Sequence, residues 1–210
     1  MRKILTIVAL AVTCLNFQVQ AQSTPIERPT LTKGDTWTYR TVDNWTDKEL
    51  NQTEVVFADI ENDLLVFRST NKATNSISTN KNNADIQPCR SMQNDDKFIC
   101  QGAFKFPMAI GNKHEIKKLP WGDGKGYNDA DCEVKEPEKI TTPAGTFDTL
   151  RIECSGFQTR VFEGIFNGSY KETLWYAPLV KRSVKSYFEN RSNRGINTKQ
   201  TTELVSYKVK

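Results

Sequence analysis

The stretch Cys132–Cys154, CEVKEPEKITTPAGTFDTLRIEC, decides the fold of this chain. Its two halves carry strand-forming residues, and the turn sequence Thr142-Pro143-Ala144-Gly145 separates them. The two cysteines are equidistant from Pro143, so a chain that folds there brings them face to face. The same register sets Val134 against Ile152 on the cysteine face, because strand side chains alternate between faces. The stretch therefore predicts an antiparallel hairpin with a Cys132–Cys154 disulfide.

The amino terminus has the layout of a secretory signal peptide. Met1-Arg2-Lys3 is cationic, Ile4–Leu15 is mostly apolar, and a small residue, Ala21, closes the segment. We predict a signal peptide over residues 1–21, cleavage after Ala21, and one β-rich domain over residues 22–210. The expected location is the periplasm or the exterior of the cell. The alternative is a lipid-anchored chain processed at Cys14.

Four cysteines remain once residues 1–21 are removed, and an even number in an exported chain indicates two disulfides. Cys89 and Cys100 are equidistant from the polar turn Gln93-Asn94-Asp95-Asp96. The spacing thus favours Cys89–Cys100 together with Cys132–Cys154. Four cysteines allow three pairings, and the other two stay open at this point.

Strand signals recur along the whole mature chain, and no long stretch carries the apolar period of a helix. Many short strands at this spacing predict a mostly antiparallel sheet that is curled or closed. We expect Asn71–Asp85 to form an exposed hairpin or loop. The predicted strands are Thr36–Val42, Thr53–Ile60, Leu64–Thr70, Lys97–Phe106, Asn112–Leu119, Cys132–Thr141, Thr146–Thr159, Phe162–Tyr176, Val180–Asn190 and Thr202–Val209.

Composition argues against several classes of protein. The precursor has a formal charge of +4, and its basic residues are scattered among acidic ones rather than arranged in a nucleic-acid-binding stripe. The mature chain contains no further apolar stretch of the roughly 20 residues that a transmembrane helix needs. Because it has one histidine and no Cys-x-x-Cys, we predict no metal and no other cofactor.

The sequence offers little support for catalysis. His114, the only histidine, has the neighbours of an exposed strand or loop and no nucleophile motif. Acidic residues alternate in Asn128–Glu133, but without the glycine and distal glutamate of a calcium loop, so we expect a solvated loop. No pair of carboxylates is singled out for a hydrolase. We therefore predict a protein that is not an enzyme and has no catalytic residue.

Several aromatic residues have two interpretations. They are either ordinary core or the lining of a cavity for an apolar ligand, and core is the expectation. These residues are Trp37, Tyr39, Trp45, Trp175 and Tyr176.

Three segments resemble a group of bacterial periplasmic domains of unknown function. They are Gly34–Tyr39, the turn and strand Ile140–Glu153, and the strand Glu172–Arg182 with its Trp-Tyr-Ala-Pro motif. These domains are grouped with TapB-like proteins and the lipoprotein carriers LolA and LolB. The chain differs where the group usually has glycines, since Leu179 directly follows Pro178.

The resemblance implies a mainly β fold, in which a single antiparallel sheet with few short helices curls into an open half-barrel. It also implies a concave face that holds lipid acyl chains. We expect a non-enzymatic envelope protein that binds or carries an apolar ligand, with a lipid or lipoprotein as its partner. The alternative is a structural module that binds an envelope protein or glycan, and a carboxylate-based hydrolase is less favoured.

Overall fold

The computed structural model describes residues 24–91, 98–121, 125–162, 164–192 and 195–210. The predicted signal peptide, its cleavage site and the turn at residues 93–96 lie outside these ranges. The described residues form twelve strands and one 3-10 turn. They are β1 (Thr36–Asp43), β2 (Lys48–Glu61), β3 (Leu64–Asn71), β4 (Ile77–Asn82), β5 (Cys89–Ser91), β6 (Phe98–Cys100), β7 (Lys113–Pro120), β8 (Gly126–Thr142), β9 (Gly145–Phe162), β10 (Gly164–Ala177), the turn Pro178–Val180, β11 (Arg182–Ser192) and β12 (Gly195–Lys208).

The predicted fold class is confirmed. Ten strands form one antiparallel sheet in the order β4-β3-β2-β1-β12-β11-β10-β9-β8-β7. Nearly every strand pairs with its neighbour in sequence, and the β1–β12 pair joins the first part of the chain to the last. Within the described residues, β4 and β7 are the two outer strands of this sheet, so it remains open. No helix in the described part of the chain is long and apolar enough to cross a membrane.

Two local predictions differ from the structure. The described part of the predicted strand Lys97–Phe106, residues 98–106, contains only the short β6. Asn71–Asp85, predicted to be an exposed hairpin or loop, contains β4, which forms a hairpin with β3. Asn128–Glu133, expected to be a solvated loop, is part of β8 and pairs with β7 and β9. Its acidic side chains have partners of their own: Asp129 accepts from the backbone N–H of Lys118 at 2.9 Å, and Glu133 forms an ion pair with Lys135 at 2.7 Å.

The structure contains both disulfides, Cys89–Cys100 between β5 and β6 and Cys132–Cys154 between β8 and β9. Val134 pairs with Ile152 in the same register. The turn, however, is centred between Pro143 and Ala144, because Thr142 pairs with Gly145. A one-residue bulge between Val134 and Pro137 offsets this half-residue shift and brings the cysteines back into register.

The described residues between the outer strands β4 and β7, 83–91 and 98–112, lie against the concave face of the sheet, and we call them the inner segment. They include β5 and β6, which pair as a separate two-stranded sheet. Phe104 and Phe106 contact Tyr176 of β10, with ring centroids 5.5 and 5.4 Å apart. The isolated bridge between Ile26 and Met108 attaches the segment to the amino-terminal residues. The described residues of the inner segment thus pack against the sheet at Tyr176 and against the amino-terminal residues at Ile26.

Candidate ligand cavity

A cavity of about 800 Å³ lies between the inner segment and the concave face of the sheet. Its wall combines side chains from both ends of the ten-stranded sheet, which requires the sheet to curl around it. The size is within the roughly 300–1,000 Å³ range of small-molecule sites. The lining residues are Val55, Phe67, Ser69, Asn80, Asn82, Ile86, Pro88, Arg90, Gly102, Ala103, Phe104, Ile116, Leu119, Pro120, Trp121, Asn128, Gln158, Tyr170, Glu172, Leu174, Arg182, Ser183 and Phe188.

The alternation of strand β10 determines which of its side chains enter the cavity. Tyr170, Glu172 and Leu174 share one face of the strand and line the cavity. Phe188 of β11 pairs with Glu172, and its ring centroid lies 5.9 Å from that of Tyr170. Trp175 lies on the opposite face, where its indole Nε1 donates to the carboxylate of Glu138 at 2.7 Å. The inward face is thus mostly apolar with one acidic residue.

Glu172 is the acidic residue of this lining. It is half-buried, and its strand neighbours are Cys154 on β9 and Phe188 on β11. Burial raises the pKa of the Glu172 carboxyl to about 7, because the charged form is poorly solvated there. Burial also raises the pKa of Tyr170, and the carboxylates of Glu172 and Asp129 add to that increase.

Arg182, at the start of β11, supplies a cation. Its guanidinium carbon lies 4.7 Å from the ring centroid of Phe67 and 5.1 Å from that of Trp37. Among the described residues, its buried Nη1 has no hydrogen-bond partner. Burial raises the pKa of Tyr39, and the neighbouring Arg182 guanidinium partly offsets that increase. The aromatic faces stabilise the guanidinium by cation–π contact but accept no hydrogen bond from its Nη1.

A second pocket, of about 920 Å³, lies beside β7 and β8 and includes His114. The imidazole Nε2 of His114 is 2.9 Å from the carbonyl oxygen of Gly102, so this side chain links β7 to the inner segment. The acidic residues here are compensated by lysines, as in the Lys135–Glu133 pair at 2.7 Å. We regard this pocket as a solvated charged surface and the first cavity as the candidate site.

None of the five aromatic residues singled out in the sequence belongs to the cavity lining formed by the described residues. Trp37 and Tyr176 are completely or almost completely buried in the core, as expected, and Trp37 donates from Nε1 to the carbonyl of Val180 at 2.7 Å. Trp45 is 59% exposed, at the turn between β1 and β2. The cavity takes its aromatic side chains instead from other residues. These are Phe67, Phe104, Trp121, Tyr170 and Phe188.

Sequence reasoning missed Glu172 and Arg182. For Glu172 a signal existed, because it alternates with Tyr170, Leu174 and Tyr176 and so lies on the apolar face of its strand. Arg182 directly follows a turn, and its sequence neighbours do not indicate that its side chain is turned toward aromatic rings from β1 and β3. Only the assembled sheet brings those rings to it.

The fold is similar to two solved structures of bacterial proteins. One is a candidate lipoprotein from Parabacteroides distasonis, with 17% identity and a TM-score of 0.54 over 88% of this chain and 100% of that one. The other is a candidate exported protein with a YmcC-like fold from Bacteroides fragilis, with 16% identity, a TM-score of 0.50 and the same two coverages. No protein-family model and no curated protein matches the chain. At these identities the likeness shows the fold alone.

Proposed function

We propose that this protein is an exported, non-enzymatic component of the bacterial cell envelope that holds an apolar or amphiphilic ligand in its cavity. The observation that carries the proposal is the cavity itself, whose wall combines Phe67, Phe104, Leu119, Leu174 and Phe188. Such a wall favours the transfer of apolar groups from water. Lipid acyl chains, the cargo implied by the resemblance to lipoprotein carriers, have this chemistry.

Export is supported by the two disulfides, since such bonds persist in oxidising compartments. The lipoprotein and exported-protein descriptions of the two structural neighbours agree with this location. Intact-mass measurement of protein from the envelope fraction tests it. We expect a chain that begins at Gln22, with two hydrogens lost per disulfide. A mass that retains residues 1–21 would contradict export with cleavage after Ala21, and a lipid adduct on Cys14 would indicate an anchored form.

Binding is tested with delipidated protein and the neutral fluorophore N-phenyl-1-naphthylamine. We expect saturable fluorescence enhancement for the wild type, because the apolar wall takes up the naphthyl ring. The variant Phe188→Gln removes an aromatic wall residue and should weaken uptake several-fold. Tyr187→Gln is the matched control, because Tyr187 is the adjacent residue, lies outside the lining and donates to Glu189 at 2.7 Å.

Two outcomes would contradict ligand binding in this cavity. One is the absence of saturable uptake by the wild type. The other is an equal loss in both variants while circular dichroism shows intact sheet, which would indicate that the fluorophore binds elsewhere.

A further inference from the structure

The charged side chains of the cavity lining point to the class of ligand. Among the described residues, the lining contains two guanidinium groups, Arg90 and Arg182, and one carboxylate, Glu172. Cations therefore outnumber anions even when Glu172 is ionised. A cavity whose wall is partly apolar and whose charged groups are mainly positive favours an amphiphile that carries a negative charge.

Arg182 is the residue of the lining that is best placed to bind this negative charge. The rings of Phe67 and Trp37 fix its guanidinium, and no carboxylate forms an ion pair with it within the described part of the chain. Its buried Nη1 lacks an acceptor there. A buried donor without an acceptor is costly, and a planar guanidinium binds a carboxylate through two parallel hydrogen bonds. A ligand oxygen anion would supply the acceptor that Nη1 lacks.

The positions of Arg182 and Glu172 define a direction along the cavity. Arg182 pairs with Ala177 of β10, and Glu172 lies five residues earlier on the same strand. Along the strand direction, Arg182 and Glu172 are therefore roughly 16 Å apart. Leu174 lies on the intervening wall. A ligand with its anion at Arg182 would extend an apolar chain past Leu174 toward Glu172.

We propose that the cavity binds a single-chain monocarboxylate of the fatty-acid class, with its carboxylate on the Arg182 guanidinium and its alkyl chain along the wall. This inference rests on the proposed function and specifies its ligand. The mostly apolar neighbours of Glu172 suit the alkyl chain, and its carboxyl disfavours a second negative charge at the far end of the ligand. The site thus selects an amphiphile that is charged at one end only.

Competition against N-phenyl-1-naphthylamine tests the proposal with three ligands of equal chain length: palmitic acid, methyl palmitate and hexadecyl phosphate. We expect wild-type protein to bind palmitic acid at least tenfold more tightly than the ester. Arg182→Gln should reduce the preference for the acid over the ester to less than twofold. Arg182→Lys should retain part of it. Arg191→Gln is the matched control, because Arg191 is an exposed arginine of the same strand outside the lining.

The outcomes separate this inference from the proposed function. If the fluorophore binds but acid and ester compete equally with it, the carboxylate site is wrong and the apolar cavity stands. If hexadecyl phosphate binds more tightly than palmitic acid, the carboxylate class is wrong. If nothing binds, the proposed function fails as well.

A second measurement covers the case in which Arg182→Gln does not fold. Palmitic acid labelled with carbon-13 at its carboxyl should, when bound to the wild type, stay ionised to a lower pH than in detergent micelles. The physical reason is that a guanidinium partner favours the charged form. A bound carboxyl that titrates at or above its micellar pKa would overturn the proposal.

Discussion

Glu172 is a carboxyl held where its ionised form is poorly solvated. Its strand neighbours are the disulfide-bonded Cys154 and Phe188, and Tyr170 and Leu174 share its face. Burial raises its pKa to about 7, whereas the unfolded chain keeps a value near 4.5. The folded protein therefore binds the proton more tightly, so the free energy of unfolding falls as the pH rises from about 4.5 to about 7.

The prediction is a pH-dependent loss of stability that Glu172→Gln removes. Between pH 4.5 and pH 7.5, titration of Glu172 should lower the free energy of unfolding of the wild type by at most roughly 3 kcal/mol. This contribution should be absent in Glu172→Gln. Urea denaturation across the pH range measures the difference. Glu189→Gln, on the neighbouring strand β11 but on the opposite face of the sheet, should follow the wild type. Parallel curves for wild type and Glu172→Gln would show that Glu172 titrates normally.

Asp35 is completely buried and ties both ends of the domain together. Its carboxylate accepts from the backbone N–H of Thr32 and of Lys210, both at 2.9 Å, and from the Lys181 Nζ at 3.0 Å. Burial raises its pKa, but the hydrogen bond from Thr32 and those from Lys181 and Lys210 outweigh this, so the pKa lies below its ordinary value. Its stabilising contribution is therefore present above pH 4 and lost as the pH falls through the lowered value.

Asp35→Asn should destabilise the protein by about 3 kcal/mol at neutral pH, because Lys181 keeps its charge in a largely buried position without its anion. Thermal or urea unfolding measures the effect, which should shrink toward acidic pH as the wild type loses its own carboxylate. Asp59→Asn is the control: its pair with Lys33 is exposed, and we expect no measurable change. Equal effects of the two substitutions would show that the contacts of Asp35 with Thr32, Lys181 and Lys210 do not stabilise the fold.

At the scale of elements, the hairpin of β8 and β9 shows how far sequence reasoning reaches. Cys132 faces Cys154 as predicted, because alternation and cysteine spacing are local properties. The predicted turn centre was wrong by half a residue, and the bulge between Val134 and Pro137 compensates for this difference. A bulge depends on pairing with the next strand, which local sequence does not specify.

Gly156 marks a close approach between β9 and β8. A Cβ placed on it would lie 1.9 Å from the Asp129 carbonyl oxygen and 2.5 Å from the Ala130 Cα, so a side chain forces the strands apart. A glycine in a strand interior often accompanies a sharp bend, and this one lies on the face that turns toward the cavity.

We predict that Gly156→Ala lowers the free energy of unfolding by about 2 kcal/mol or more, through overpacking against the backbone of β8. Ser155→Ala, the exposed neighbour on the opposite face, should be nearly neutral. Urea unfolding of both variants gives the comparison. The sign of the change in the free energy of unfolding distinguishes the two cases. Alanine at an unconstrained glycine position raises that free energy by roughly 0.4–1 kcal/mol, because it reduces the entropy of the unfolded chain. A stabilised Gly156→Ala variant would exclude the close approach.

At the scale of the whole molecule, the sheet could be predicted and the interior could not. Most strands have their own alternating pattern and pair with the next strand in the chain, so local signals suffice. The inner segment has little regular pattern, and its position depends on Phe104 and Phe106 meeting Tyr176 from a distant strand. The cavity is the space that this crossing leaves, so its lining, with Arg182 at one end, arises only from the assembled fold.

Because the inner segment and the sheet are held by different contacts, we predict that the inner segment can unfold locally while the sheet stays folded. The Cys89–Cys100 disulfide constrains only the inner segment, and closing so short a loop contributes about 3 kcal/mol in the chain-entropy view. In Cys89→Ser/Cys100→Ser, hydrogen exchange at the amides of Ile86 and Met108 should accelerate about a hundredfold. Amides of β1, β2 and β12 should keep their protection, since those strands pair without the segment.

The matched variant Cys132→Ser/Cys154→Ser should show the reverse distribution, with faster exchange centred on β8 and β9, where its disulfide joins two strands of the large sheet. If Cys89→Ser/Cys100→Ser instead loses protection uniformly across the sheet, the inner segment and the sheet unfold as one unit.

The loosened inner segment of Cys89→Ser/Cys100→Ser should also make the cavity more accessible and speed the entry of N-phenyl-1-naphthylamine, because this segment forms one wall. An unchanged rate of entry would show that this wall does not move independently of the sheet.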